Sequence, residues 1–396
     1  MKKTIRIYLL LLLGLNFSVG LTFGTYVLFL KANGLDLFGI SMVNFFFMFT
    51  IVFLEIPTGA LADTFSRKTS FLLCCLFYVV GGLYYYAFRG FWNFVLAEVL
   101  LGIGSSFLSG AFDAWLIDSL NYQGFRGDLR KIFGSKQWSI RLIQIPATLL
   151  GTYLATFDLS HVWLAKSVGV AVVGILAIFL MKEEYPRPRP AGKLSLFAGA
   201  KTIVATAREG IRYGFYHREI FTLITLTSVL MLCCQPLNMF WSPLFEGMLG
   251  GIEKMGLIMS AINVAILGGI LLGGKILPRC RCREHRCLAL GLAITAGGMV
   301  LAGMWPTFWP TLVFFLLHEA GRGMIGPLNE AAMHRSVTAD KRATVISFGS
   351  MANKLGATAG LFLFGVAGNQ LGIQTAWLIA GLILAAVIPL TQRLKK

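Results

Sequence analysis

The sequence predicts an all-α membrane protein with twelve transmembrane helices in two pseudo-symmetric six-helix halves. Of the 396 residues, 56% are hydrophobic and only 13% are charged, whereas soluble globular domains carry about 25% charged residues. The apolar segments recur along the whole chain at lengths near the roughly 20 residues that a helix needs to cross a bilayer. Because segments of this length suit helices, helices are expected rather than barrel strands.

Apolar runs between polar breaks define the predicted spans in chain order. The first six are 7–30, 38–62, 69–88, 92–120, 137–156 and 161–181. The last six are 218–245, 252–277, 287–304, 309–333, 344–367 and 372–392. The first run resembles a signal peptide, but it continues to Leu30 without an Ala-x-Ala-like cleavage site, which favours a retained span. The predicted domains are an N-terminal six-helix bundle, a cytoplasmic linker with an amphipathic helix and a C-terminal six-helix bundle, over 1–181, 182–217 and 218–396.

The net charge of +17 is distributed unevenly along the chain. Most lysines and arginines fall in alternate segments between spans, and such segments face the cytoplasm by the positive-inside rule. The charge is therefore a topology signal, and nucleic acid is not expected as a partner. We expect a monomer in the plasma (inner) membrane, surrounded by membrane lipids, with both termini in the cytoplasm.

The seven cysteines do not predict a disulfide framework. Four lie inside predicted spans and three, Cys280, Cys282 and Cys287, lie in a predicted cytoplasmic loop, where thiols stay reduced. With His285 this loop offers zinc-type ligands, but the tight spacing and the interleaved arginines oppose a tetrahedral cation site. We expect a basic loop there, with no metal and no cofactor.

The two halves resemble degenerate repeats, because each has a basic loop after its second span, GALADTFSRK in one and GGKILPRCRCR in the other. Between the halves, residues 182–217 open with the extended run YPRPRP and continue with apolar and basic faces at helical spacing. An interfacial helix on an anionic leaflet is expected here, with a ligand-binding role as the alternative.

Residues 55–68, EIPTGALADTFSRK, place four charged residues at the junction of the second and third predicted spans. The loop pattern Gly-x-Leu-Ala-Asp-x-x-Gly-Arg-Lys is met by Gly59, Leu61, Ala62, Asp63, Arg67 and Lys68. Ser66 replaces the second glycine. With the twelve spans and the long basic centre, this pattern resembles the major facilitator superfamily. The extended form with Glu55 and Pro57 is most similar to the drug:proton antiporter branch that includes macrolide and some tetracycline exporters.

The resemblance implies a gating motif on the cytoplasmic side. Asp63 is expected against the N-terminal end of span eleven, and Arg67 against an acid at the inner end of span four, where Asp118 stands. The implied gating residues are Glu55, Pro57, Gly59, Asp63, Arg67, Lys68 and Asp118. The alternative is a solvated turn that only sets topology. Proton-coupled relatives carry an arginine in span four where this chain has Glu98, so coupling is not carried over to that position.

Ionisable residues inside the second-half spans are the candidates for proton coupling, because lipid tolerates charge only where it pairs or reaches water. His318, Glu319 and Arg322 lie near the middle of span ten, and Lys354 lies at a comparable depth in span eleven. Glu319 and Arg322 are three residues apart, so they can pair on one helix face. Protonation of Glu319 would free the arginine, with Lys354 as a competing partner. The alternative is a static buried ion pair that fixes helix packing.

Three further groups of residues are assigned by position. Asp113, in the inner third of span four, is expected to form a buried inner-side network with Glu55 and Arg141. By family resemblance, spans one and seven should contact substrate, through Asn16, Thr22, Tyr26, Gln235 and Asn238. Pro236 and Pro243 are expected to break span seven beside a cavity, although kinking alone is the commoner effect of proline. Predicted outer boundaries carry the expected membrane-interface tryptophans, Trp92, Trp163, Trp305 and Trp309.

No Walker loop, HExxH or other strong catalytic motif occurs, so an enzyme is not expected. The sequence predicts a secondary transporter whose partners are protons and a small-molecule substrate, exporting a small amphipathic compound by alternating access. Uptake or facilitated transport of a nutrient, metabolite or lipid-like solute is the alternative. A non-transporting scaffold or receptor is a third hypothesis, which the charges at mid-membrane depth disfavour.

Overall fold

The computed structural model of the chain describes residues 1–64, 66–185, 217–276, 284–337 and 342–394. These residues fold into helices joined by short turns, and no strand occurs among them; all are α-helices except a π-helix at Leu272–Ile276 and a 3-10 helix at Ile388–Leu394. The first half contains α1 Lys2–Gly20, α2 Tyr26–Ala32, α3 Leu37–Thr64, α4 Arg67–Ala87, α5 Phe91–Leu108, α6 Ala111–Tyr122, α7 Leu129–Ala155 and α8 His161–Leu180. The second contains α9 Arg218–Leu249, α10 Lys254–Leu271, α11 Glu284–Met304, α12 Phe308–Ser336, α13 Arg342–Leu371 and α14 Ile373–Val387.

Every predicted span corresponds to one or two helices in the part of the chain that the structure describes, which confirms the all-α fold. Nine segments there are long and apolar enough to cross a membrane. Spans five, ten and eleven correspond to α7, α12 and α13, which are 27, 29 and 30 residues long. These three helices are not among the nine segments. Charged residues, among them Lys136, Glu319 and Lys354, lower their hydropathy.

Two spans are divided into shorter helices, and neither break involves proline. Span one passes through turn residues between α1 and α2. Span four is interrupted between α5 and α6, where Gly110 has a φ of 75°, a conformation that favours glycine. The predicted break in span seven is wrong, because α9 runs continuously through Pro236 and Pro243. Each proline removes one hydrogen-bond donor, and the packed helix accommodates that loss.

The chain divides into two compact units. The first comprises Met1–Gly34, Phe46–Thr202 and Ile252–Ser260, and the second comprises Leu35–Phe45, Ile203–Gly251 and Ala261–Lys396. Most of the predicted N-terminal and C-terminal bundles therefore fall in the first and second units, respectively. The beginnings of α3 and α10 group with the opposite unit.

Stacked aromatic rings and small residues form the core of each unit. In the first, Phe112 stacks on Tyr8 and on Phe71 with centroids 4.8 and 4.4 Å apart. In the second, Trp377 stacks on Phe315 at 5.3 Å and donates its indole N–H to the Pro236 carbonyl at 3.0 Å. Packing of this kind is what holds helices together in lipid, where apolar burial alone gives no advantage.

The predicted tryptophan belt is wrong at one position. Trp92 and Trp309 are 72% and 71% exposed, and Trp305 is 48% exposed. Trp163 is only 2% exposed, although it lies in the first turn of α8. Its ring stacks on Tyr85 inside the first unit. The distance of a residue from a helix end therefore predicts how deep the residue lies, but not whether its side chain faces inward or outward.

Candidate gating and coupling sites

The gating motif lies across the end of α3 and the beginning of α4. Helix α3 contains Glu55, Pro57, Gly59 and Asp63, whose side chains lie outside the described part of the structure. Ser66 is the N-cap of α4, and its hydroxyl accepts a hydrogen bond from the Thr69 backbone N–H at 3.0 Å. A serine in extended conformation is a favoured N-cap because it satisfies one unpaired N–H of the first turn.

Arg67 contacts the acid that the family resemblance implies. Its Nε lies 3.5 Å from Asp118 Oδ2, which joins the first residue of α4 to the last turns of α6. The two side chains are 20% and 38% exposed. Ion pairs this accessible to solvent contribute about 0–1 kcal/mol, so this contact can break at little cost.

Sequence reasoning missed Glu183, which it placed in the linker. The two carboxylate oxygens accept hydrogen bonds from the Lys68 backbone N–H at 2.7 Å and from the Ser66 hydroxyl at 2.8 Å. The carboxylate thus sits at the positive N-terminal end of α4. Tyr185 donates a hydrogen bond to it at 3.3 Å, and burial, then this carboxylate, raise the pKa of the Tyr185 phenol above its ordinary value.

Lys68 also connects the motif to α8, since its ammonium donates to the Ile178 carbonyl at 2.6 Å. The end of span six and the segment directly after it are therefore tied to the motif, through the side chain and the backbone of Lys68, respectively. The sequence does contain a signal for this contact. Glu183 follows the predicted sixth span by only two residues, so it can reach the start of α4, where the basic residues of the motif lie.

Asp113 forms an inner-side network, but its cation is Lys136. The Lys136 ammonium lies 2.7 Å from both carboxylate oxygens, and Tyr8 donates to Oδ1 at 2.6 Å. The predicted member Arg141 donates to Gln144 on its own helix at 3.4 Å. The prediction places Lys136 in a loop because it begins span five at 137, whereas α7 begins at Leu129. The carboxylate also lies in the first turn of α6, where the helix dipole favours an anion.

The candidate coupling residues of span ten meet in the second unit. Glu319 is 2% exposed, and its Oε2 lies 2.6 Å from Arg322 Nη2. Arg322 also donates from Nη1 to Asn238 Oδ1 on α9 at 2.6 Å. His318 is fully buried, with Nδ1 3.8 Å from Glu319 Oε1 and Nε2 3.9 Å from the sulfur of Cys234. Lys354 lies half-buried on α13, and its competition for Glu319 stays a prediction.

Glycines hold the charged turn of α12 tightly against its neighbours. A Cβ added to Gly321 would lie 2.6 Å from Thr295 Oγ1, and one added to Gly298 would lie 2.6 Å from the His318 backbone nitrogen. Such close packing excludes water from Glu319. Removal of one partner from a buried pair costs about 3–5 kcal/mol, because the other charge is left without compensation.

Four of the five substrate-cavity candidates contact residues other than Glu319 and Arg322. Asn16, Thr22 and Gln235 each donate to a carbonyl one turn earlier on the same helix, namely those of Leu12, Val19 and Met231. Tyr26 packs edge-on against Tyr85 and Trp163 in the first unit. Asn238 belongs instead with Arg322. Substrate contact by any of the five stays a prediction.

The described residues contain no group of three or more His, Cys, Asp or Glu side chains that could hold a metal ion. The loop residues Cys280 and Cys282 and most of the linker lie outside the described ranges. The structure therefore does not describe all four zinc-type ligands of this predicted loop, and the absence of a metal there stays a prediction.

Two helical units with many membrane-crossing segments and buried ion pairs define a multi-pass membrane transport protein. A family model described as Major Facilitator Superfamily matches residues 8–284 and 255–394. The chain belongs to this superfamily and is a transporter of the major facilitator type.

The curated relatives share only a limited part of the sequence with this chain. The chain is 25% identical over 138 residues to an uncharacterized MFS-type transporter of Yersinia pestis (strain Pestoides F), and an equally similar one occurs in Yersinia pseudotuberculosis. This alignment covers 35% of this chain and 35% of the relative, so the match spans about a third of the relatives' length.

Solved structures share the fold over nearly the whole chain. The nucleoside transporter NupG has a TM-score of 0.74 at 16% identity, with 98% of each chain covered. A POT family transporter in complex with a thioalcohol-conjugated peptide has a TM-score of 0.75 at 11% identity, with 97% of this chain and 94% of its own covered. The human organic anion transporter MFSD10 (TETRAN) has a TM-score of 0.67 at 15% identity, with 99% of each chain covered. At these identities the likeness shows the fold alone.

Proposed function

We propose that this transporter couples the movement of a small amphipathic organic compound to protons by alternating access, and that it works as an exporter similar to the drug:proton antiporter branch. The observation that carries the proposal is the buried contact of Glu319 with Arg322, together with the bond from Arg322 to Asn238. In a membrane protein, an ionisable residue with a named partner at mid-membrane depth is a functional site by default.

The proton step follows from the two bonds of one guanidinium. When Glu319 is ionised, Arg322 is held by its own helix through Glu319 and by α9 through Asn238. A proton on Glu319 removes the charge that compensates Arg322, so the guanidinium must find water or another anion. Protonation therefore favours a state in which this region opens to water, and Lys354 is the cation that can compete for Glu319.

The gating step is assigned to the motif of the first unit. The contact between Arg67 and Asp118 is partly exposed to solvent, as a contact that breaks in every cycle should be. Glu183 adds a second attachment at the beginning of α4. We assign the whole motif, Asp63 included, to a latch on the cytoplasmic side that holds the outward-open state. The alternative is a solvated turn that sets topology.

Uptake or facilitated transport of a nutrient, metabolite or lipid-like solute is the second candidate function. It is favoured by the polar character of the Asn238 and Arg322 pair, which offers donors and an acceptor suited to a polar solute. Among proteins of similar fold are a nucleoside transporter and a transporter crystallised with a conjugated peptide. In both candidates the chain acts as a monomer in the plasma membrane with cytoplasmic termini.

Liposomes that contain the purified protein test the proposal. A mixture of amphipathic compounds, nucleosides and peptides is offered under a pH gradient imposed in either direction, and the lumen is analysed by mass spectrometry. Movement of an amphipathic compound against its gradient, driven by protons moving the opposite way and lost in Glu319→Gln, supports the export proposal. Proton-driven accumulation of a polar solute in the same direction as protons supports uptake. Full pH-driven exchange by Glu319→Gln contradicts the coupling assignment.

A further inference from the structure

A second cluster of buried ionisable groups lies in the first unit, apart from the gating and coupling residues. Glu98 on α5 is 4% exposed, and Lys166 on α8 is 5% exposed. One stacked ring pair links them, since Tyr85 bonds to Glu98 and its stacking partner Trp163 lies under the Lys166 ammonium. Neither residue belongs to the motif or to the inner-side network, so the transport mechanism proposed above leaves this pair without a role.

The acid and the base have different additional partners. Tyr85 on α4 donates a hydrogen bond to Glu98 Oε1 at 2.8 Å. The ring of Tyr85 stacks on Trp163 with centroids 3.9 Å apart and planes inclined by 12°. The Lys166 ammonium lies over two aromatic faces, 4.7 Å from the centroid of Trp163 and 5.8 Å from that of Tyr78. An ammonium over an aromatic face is attracted by the ring quadrupole, and the attraction grows where water is excluded.

This arrangement provides partners in both protonation states of Glu98. The ionised carboxylate accepts the hydrogen of Tyr85, whereas the protonated acid can donate to the same phenol oxygen, since a phenol both donates and accepts. When the carboxylate is neutral, Lys166 still has the faces of Trp163 and Tyr78. A static ion pair offers no such second set of contacts, and its charges are costly to separate.

The cluster lies near one end of the bundle. Glu98 is seven residues from the beginning of α5 and Lys166 is five residues from the beginning of α8, which place them about 10 Å and about 8 Å along their helices. Arg89, in the loop after α4, connects the two loops at this end by donating to Ser160 at 2.7 Å. Its guanidinium also donates to the Tyr85 carbonyl and lies over the ring of Phe29.

The charged and titratable groups around Glu98 come from every element packed there. Those that interact with Glu98 are Tyr26 on α2, Tyr78 and Tyr85 on α4, and Lys166 on α8. Arg89 in the loop after α4, Asp158 in the loop before α8 and His161 at the start of α8 interact with one another at the same end. A hydrogen bond from the Ser160 backbone N–H lowers the pKa of Asp158, so this exposed loop carboxylate stays ionised.

We propose that Glu98 is a proton-binding site of the first unit, with Tyr85 as its hydrogen-bond partner and Lys166 as the neighbouring basic group. A proton from water adds to one carboxylate oxygen and forms an O–H bond. No bond between heavy atoms breaks, the hydrogen bond with Tyr85 reverses direction, and the net charge of the cluster rises by one. The site requires no transported solute, and it stands whether or not Glu319 proves to be the coupling residue.

Infrared difference spectroscopy of the full chain in lipid, recorded between about pH 5 and about pH 9, tests this assignment without a substrate. Acidification should produce the C=O stretching band of a protonated carboxyl that is lost in Glu98→Gln and retained in Glu319→Gln. Tyr85→Phe should keep the band but move its frequency, because the carboxyl loses its hydrogen-bond partner. A merely structural pair would give neither effect.

Circular dichroism and size-exclusion chromatography establish that each variant is folded before its spectrum is compared. An acidification spectrum of folded Glu98→Gln that equals the wild-type spectrum overturns the proposal. If Glu98→Gln does not fold, the acidification spectra of Lys166→Arg and Tyr85→Phe test the proposal instead. Retention of the band in Lys166→Arg with a shifted band in Tyr85→Phe supports the site, and a band that Tyr85→Phe leaves in place overturns it.

Discussion

Arg322 on α12 donates to Asn238 on α9 at 2.6 Å, and this bond joins two residues to which the sequence assigns separate roles. Asn238 is predicted to contact substrate and Arg322 to take part in proton coupling. Since one guanidinium contacts both Asn238 and Glu319, any solute that bonds to Asn238 would compete with the same arginine that the proposed proton step releases. Substrate and proton would then act on one residue, which is the simplest physical route to their coupling.

Asn238→Asp should slow proton-driven exchange about tenfold or more. The new carboxylate would hold Arg322 whether or not Glu319 is protonated, and a hydrogen bond between charged groups adds about 1.5–3 kcal/mol. Asn238→Ala is the matched control, because it removes the bond without adding a charge. Flux in liposomes under a pH gradient provides the measurement. If Asp and Ala at this position slow exchange equally, release of Arg322 is not the coupling step.

Glu183→Ala should expose the beginning of α4 to hydrogen exchange. The Lys68 amide donates to this carboxylate at 2.7 Å, and loss of a hydrogen bond to a charged group corresponds to about tenfold or more in exchange rate. Peptides that cover residues 66–72 report the change by mass spectrometry. Glu184→Ala is the control, since Glu184 is exposed and adjacent in sequence. Equal exchange in both variants would show that Glu183 does not hold the motif.

Asp113 and Lys136 should be thermodynamically coupled, whereas Asp113 and Arg141 should not. Both carboxylate oxygens lie 2.7 Å from the Lys136 ammonium, and the side chains are 36% and 19% exposed. We therefore expect a coupling energy of only about 0.5–1 kcal/mol between Asp113→Asn and Lys136→Met, measured by thermal unfolding in detergent. The same cycle with Arg141→Met should be additive. A larger coupling with Arg141 would make that arginine the true partner.

The sequence predicts how deep a residue lies along its span better than it predicts the direction in which the side chain faces around the helix. The apolar runs locate the helices, and the family pattern implies the contact of Arg67 with Asp118 that the structure contains. Trp163 is predicted at the membrane interface because it lies near a span end, yet its face of α8 turns inward. Lys136 is predicted in a loop because polar residues at a helix end look the same as loop residues until packing decides. Both residues could be placed correctly only once the positions of the neighbouring helices were known.

The beginnings and ends of helices are also set by features that a hydropathy pattern does not contain. Two prolines predict a break in span seven, but the break in span four occurs at Gly110, where the backbone takes a positive φ. Glu183 and Lys166 are missed as partners because each contacts a residue on another helix that is distant in the sequence. Such contacts between distant residues define both the gating motif and the Glu98 cluster.

Gly82→Ala should destabilise the first unit, because α4 and α8 approach too closely there for a Cβ. An added methyl group would overlap the Ser167 hydroxyl, and overpacking of this kind costs about 1–3 kcal/mol. Thermal unfolding in detergent should show a lower midpoint for Gly82→Ala and a partial recovery when Ser167→Gly is added. Gly297→Ala is the control, since a Cβ there meets no atom within 4 Å and should leave stability unchanged or slightly raised. If Gly82→Ala and Gly297→Ala unfold at the same temperature, close packing of α4 on α8 does not limit the stability of the first unit.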